Sequence, residues 1–172
     1  LVSLLEYDGW GPKKREWLPF AVNGDSPADL LRTYSSSELT AGASALYGSS
    51  EHPYAYPVYE QSMRGRVTEQ FGPGSAWHSN NKKTGTEYLT NTAYATNPAL
   101  ACRRFDWSPS ASPTDSLPVT VTASGYYAAG TLHVTRVTDE DGRVATEFKD
   151  MAGQMVLTRA TLTGQNNTTE IA

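Results

Sequence analysis

The sequence predicts a mainly β protein: an antiparallel meander of β-hairpins carrying a short helical insert. Three observations carry that prediction. Apolar residues make up 38% and charged residues 19% of the chain, both somewhat below the globular average, and turn formers and tyrosine take up the difference. β-branched and aromatic residues alternate with polar ones through most of the last third of the chain. The tetrad Asp-x-x-Gly occurs at Asp8/Gly11, Asp139/Gly142 and Asp150/Gly153, each time between strand-like runs.

The elements follow in order. LVSLLEY and PKKREWLPF read as two short strands around the DGWG turn. In NGDSPADLL, Ser26 is placed as an N-cap, Pro27 at the first helical position and Asp29 near the positive helix end, which predicts a helix from about Pro27 to Tyr34. Ser37 precedes ELTAGASALYG, where Leu39, Ala43, Leu46 and Tyr47 share a helical face and Gly48 is the C-cap. Prolines at 53 and 57 restrict HPYAYPVYE to an extended edge segment at most. A strand from about Arg66 to Phe71 ends at Gly72-Pro73-Gly74. SAWHSNNKKTG is polar and reads as a loop, and TEYLTNTAY resumes a strand around Tyr88. Residues 97–118 carry four prolines and many serines, which predicts an irregular loop with one strand near Cys102 to Trp107. From Val119 onward the alternation is sharpest. In GRVATEFK, Val144, Thr146 and Phe148 take one face and Arg143, Ala145, Glu147 and Lys149 the other.

The tetrads explain how these runs reverse. Asp at the first turn position accepts a backbone N–H two residues on, and Gly at the fourth takes the left-handed conformation that closes a bulged hairpin. Asp139 and Asp150 stand eleven residues apart, leaving strands of about seven residues, roughly 23 Å long. Two tetrads follow an aromatic, Tyr7 before Asp8 and Phe148 before Lys149-Asp150, which would pack on the sheet as the turn closes.

LLEYDGWGPKKREWLPF and VTDEDGRVATEFKDMAGQMVLTRA resemble the Rhs/YD-repeat family, whose units read roughly Tyr-Asp-x-x-Gly-Arg followed by a short apolar strand. The order EYDGWG, WLPF, helical insert, PVYE, EQFGPGSAW, TEYLTN, DEDGRVATEFKD is similar to the domain of unknown function that precedes the repeat array in many bacterial Rhs proteins, from about Leu4 to Ala160. Pro12 stands where the repeat has Arg, and Lys149 intrudes between Phe148 and Asp150. An irregular sheet is therefore expected rather than a uniform spiral. The resemblance implies a non-enzymatic structural segment of a large secreted or cell-surface bacterial protein. Its implied partners are neighbouring YD repeats of the same polypeptide and a carboxy-terminal effector or toxin domain. It carries over no catalytic residue.

At 172 residues the chain can bury roughly 70% of its unfolded surface and build its own core, and it reads as one domain over 1–172 with the helical insert at 23–50. The apolar start and polar end predict a piece of a longer chain. The net charge is −4 and no basic run could neutralise a row of phosphates, so nucleic acid is not an expected partner. No run approaches the 18 or so apolar residues of a membrane span. A single cysteine, Cys102, excludes an internal disulfide and a multi-thiolate metal site, and a buried or half-buried strand position is its expected role. His52, His78 and His133 are 26 and 55 residues apart, without metal-ligand or nucleophile spacing, and read as surface or loop histidines. Asp139-Glu140-Asp141 reads as a solvated turn, its register failing the calcium-loop pattern. No cofactor is expected. Tyr54, Tyr56, Tyr59 and Trp77 suggest the second reading, a carbohydrate- or protein-binding module such as one for surface glycan, against the plainer role of aromatics as cross-strand core pairs.

Overall fold

The computed structural model describes residues 1–21, 33–109, 119–161 and 168–171. Its strands pair antiparallel, mostly with their neighbours in sequence, a mainly β meander in which the fifth strand lies beside the eighth. The sequence reads as one domain, whereas the contacts divide the chain into two compact units. One comprises Leu1–Thr86 with Thr138–Asp141, the other Glu87–Val137 with Gly142–Ala172.

In the first unit, β1 (Leu5–Tyr7) and β2 (Lys13–Trp17) form the first hairpin, followed by β3 (Tyr54–Tyr59), β4 (Val67–Phe71) and the start of β5 (Thr84–Thr90). At the first tetrad the Asp8 carboxylate accepts the Trp10 N–H at 2.8 Å, and Gly11 N–H donates to the Asp8 carbonyl with Gly11 at φ +100°. Helix α1 (Ser36–Tyr47) starts two residues before the position expected from the sequence. Ser35, not Ser37, is the N-cap, because Glu38 completes a capping box with it. Ala43 is fully buried against Trp17 and Phe20, and Leu39 and Tyr47 pack at the rim. Leu46, at the edge of that stripe in the last turn, is 61% exposed. Gly42 permits the close approach: a Cβ there would lie 2.5 Å from the Phe20 ring. The helix expected over Pro27 to Tyr34, with its cap at Ser26, falls almost entirely outside the described residues.

Two further expectations are corrected. SAWHSNNKKTG is not all loop, since Ser75–Ser79 form a one-turn helix, α2, tied down where Ser75 Oγ donates to Glu51 at 2.7 Å. HPYAYPVYE is not an edge segment, since β3 pairs with both β2 and β4. Pro57 is tolerated there because the β2 ladder reaches β3 only at Tyr54 and Ala55. The missing N–H of residue 57 therefore breaks no ladder bond on that side.

In the second unit, the end of β5 leads into the ladder β8 (His133–Thr138), β9 (Val144–Lys149), β10 (Met155–Thr161) and β11 (Thr168–Ile171). Phe148 lies opposite Leu157, and with Leu100, Cys102, Leu132 and Val134 they form the core. Thr146 shares their buried face and Val144 is half-buried. Asp150 Oδ1 accepts N–H groups from Ala152 and Gln154 at 2.9 and 2.8 Å, and Gly153 sits at φ +82°. In the first unit's segment Thr138–Asp141, Asp139 Oδ1 accepts the Asp141 N–H at 2.9 Å, and Gly142, which follows it, is at φ +80°. A separate two-stranded ribbon pairs β6 (Arg103–Pro109) with β7 (Val119–Tyr126). The fully buried Asn91 clamps the approach to β8: its side chain accepts from Leu132 N–H and donates to the Ala128 carbonyl, both at 2.8 Å.

Candidate functional site: an aromatic groove with a cationic wall

The first unit contains a groove of about 380 Å³ whose two walls come from β2 and β3. It exists because these strands stop pairing. Beyond Glu16↔Ala55 the ladder ends, and Pro57, on the β3 wall, can donate nothing that would continue it. The space left between the strands is closed at its far end where Tyr59 Oη donates to the Lys13 carbonyl at 2.9 Å.

The β3 wall presents Tyr54, Tyr56 and Tyr59. Alternation alone places Tyr59 on the face opposite Tyr54 and Tyr56. The register with β4 shifts between Val58 and Tyr59, and this bulge brings Tyr59 to the same groove. Tyr56 stacks on Phe71 with centroids 4.7 Å apart and planes within 4°. Burial pushes the Tyr56 phenol above its ordinary pKa, helped by Tyr54 and Glu69 and opposed by Lys83, so it remains a neutral hydroxyl at physiological pH.

The β2 wall is cationic. Lys13, Lys14 and Arg15 line it, faced by one carboxylate, Asp8. Lys13 is bonded to Glu16 at 2.7 Å, and that bond holds its ammonium above the ordinary lysine value against the effect of burial. Arg15 reaches Glu6 at 3.6 Å and lies over the Tyr54 ring at 4.7 Å. Lys14 is exposed and makes no ion pair among the described residues.

The floor holds His52 and His78. Their rings are 4.4 Å apart, and His78 also lies 5.8 Å from Tyr54 and 5.2 Å from Tyr56. The short helix α2 brings His78 there, its Nε2 within 3.1 Å of the Gly72 carbonyl, while Gly74 N–H donates to the His52 carbonyl at 2.9 Å. His52 adopts φ +48°, and its Nδ1 is buried without a hydrogen-bond partner, the ring making tilted and edge-on contacts with His78 and Tyr54.

Of the aromatics singled out in the sequence, Tyr54, Tyr56 and Tyr59 therefore meet in one site, and Trp77 does not. Trp77 lines a separate shallow depression with Ala76, Asn80 and Lys82. His52 and His78, read as surface or loop residues, are half-buried with their rings in tilted contact. The three β2 cations carried no signal in the sequence beyond their adjacency. Elsewhere, His133 is exposed on β8 and Cys102 is fully buried in the core of the second unit. The acidic run is tied down by its own chain: Lys82 Nζ donates to the Glu140 carbonyl at 2.9 Å and Thr84 Oγ1 to the Glu140 carboxylate at 3.0 Å. Among the described residues no group of three His, Cys, Asp or Glu side chains could hold a metal ion, and no helix is long and apolar enough to cross a membrane.

A protein family described as Domain of unknown function (DUF6443) matches residues 1–90. The match thus covers the groove and runs to the end of β5, close to where the first unit gives way to the second. No curated protein and no solved structure matches the chain.

Proposed function

We propose, for a chain that belongs to the DUF6443 family, that it is a non-enzymatic structural segment of a large secreted or cell-surface bacterial protein of the Rhs/YD-repeat type. Its partners on this reading are neighbouring repeats of the same polypeptide and the carboxy-terminal effector that such a polypeptide presents. The observation that carries the reading is the repeated acid-to-glycine reversal, with Asp8, Asp139 and Asp150 each accepting the N–H two residues on. Two of these reversals are spaced so that each strand returns beside the last, an arrangement that continues by adding hairpins.

Two further features support it. β11 is the outer strand of its ladder among the described residues, and its second edge suits another strand. The β6–β7 ribbon turns Phe105, Trp107 and Val121 to one face, 52%, 72% and 65% exposed, with Trp107 directly opposite Val121. A two-stranded ribbon is marginal in water, and an apolar row of this kind ordinarily has a cover. Neighbouring polypeptide supplies both needs.

Thermal unfolding tests the reading. Joining this chain to the polypeptide that follows it in its gene raises the Tm by several degrees, as added strand pairing requires. An unchanged Tm contradicts the proposal.

A further inference from the structure

We propose that the groove between β2 and β3 binds a short acidic saccharide, its sugar rings lying against Tyr56 and Tyr59 and its carboxylate meeting Lys14 and Arg15. This goes beyond the architectural reading and does not depend on it. A chain that fails to bind sugar can still be a scaffold, and one that binds it need not be.

The argument begins with charge. Lys13, Lys14 and Arg15 line this wall with Asp8, in a chain whose formal charge is −4. Glu16 and Glu6 engage Lys13 and Arg15, while Lys14 is exposed and lines the groove. An anionic group on the ligand complements Lys14, the lining cation that makes no ion pair among the described residues. The Arg15 guanidinium can meet a planar carboxylate with paired donors, which its location over the Tyr54 ring helps to orient.

The opposite wall specifies the rest of the ligand. Tyrosine rings offer an apolar face to the C–H surface of a pyranose and a hydroxyl to its oxygens. Tyr56 is held by its stack on Phe71, and Tyr59 enters only through a bulge, so the cluster of three is built by the fold rather than by alternation. The volume, about 380 Å³, falls in the range of small-ligand sites, roughly 300–1,000 Å³.

An acidic peptide would satisfy the same charges, but it binds most readily by adding a strand to an open edge. Here β3 offers a poor edge. Pro57 has no N–H, and the bulge at Tyr59 breaks the regular spacing that a docking strand needs. Saccharide rings require no such ladder.

The test uses the 172-residue protein with three probes: trigalacturonate, the neutral trisaccharide cellotriose and a hexaglutamate peptide. Titration calorimetry reads affinity, and saturation-transfer NMR reads which ligand protons touch aromatic rings. Trigalacturonate is expected to bind saturably, with saturation strongest at its ring C–H protons, and Lys14→Ala is expected to weaken it about tenfold. Lys14 is exposed, so that variant retains the fold. Absence of saturable trigalacturonate binding up to about 10 mM overturns the proposal. So does cellotriose binding as tightly, hexaglutamate binding more tightly, or Lys14→Ala leaving the affinity unchanged.

Discussion

Two side chains show what single residues contribute. Asn91 is buried and uses both ends of its amide, accepting from Leu132 N–H and donating to the Ala128 carbonyl. Replacing it with Ala strands the Leu132 N–H in the protein interior and should cost about 2–3 kcal/mol in urea unfolding, the usual penalty for an orphaned buried donor plus the lost bond. A loss below about 0.5 kcal/mol would mean that the clamp adds nothing. Glu60 is a half-buried, charged counterpart. Arg66 engages both its carboxylate oxygens at 2.9 Å and Ser62 adds a third bond at 2.6 Å, and these hold its pKa down to about 2 from the ordinary 4.5, with the Arg66 bonds the larger cause. A carboxyl depressed in the folded state contributes stability above its unfolded pKa and loses it as pH falls through the folded value. The Glu60 contribution is therefore complete at neutral pH and fades between about 4.5 and about 2. Carboxyl-carbon NMR should place the Glu60 midpoint near the lower value, and a midpoint near the upper one would mean that Arg66 is not engaged in solution.

At the scale of elements, the hairpin turns were legible in the sequence because their chemistry is local. Asp150 and Gly153 sit three residues apart, and both requirements, an acceptor at the first position and a positive φ at the fourth, are properties of those residues. Gly153→Ala should cost about 1–2 kcal/mol, the strain of a left-handed alanine, although nothing lies within 4 Å of the added Cβ. Gly72→Ala makes the control. It also meets open space, but Gly72 does not have a positive φ, and its cost should stay within about 0.5 kcal/mol. Equal costs at the two positions would refute the turn assignment. The alternation in GRVATEFK was legible for the same local reason, Thr146 and Phe148 being buried on one face. What was not legible depends on distant partners. The polar segment that forms α2 is a single turn held by Glu51 and by packing of His78, neither visible in its own sequence. The bulge that redirects Tyr59 depends on the register of β4, and the groove depends on β2 and β3 parting some forty residues away from each other along the chain. Histidines 26 residues apart meet only because α2 folds back onto the strand beside them. The N-cap at Ser35 could have been found, since Glu38 three residues on completes a capping box.

At the scale of the whole molecule, the family match covers the long first segment of the first unit, and that segment holds the groove. The second unit holds the Asp150 reversal and the outer strand β11. This division suggests two roles in one architectural segment, recognition in the first unit and continuation of the sheet in the second. The continuation is the central claim, and it concerns one strand edge. Backbone N–H groups on the outer side of β11 exchange with solvent unless another strand pairs with them. Amide hydrogen exchange at Thr168–Ile171, compared between this chain and the same chain joined to the polypeptide that follows it in its gene, is the most direct measurement. The account predicts that exchange there slows by an order of magnitude or more when the longer chain is used, and identical exchange in the two would contradict it.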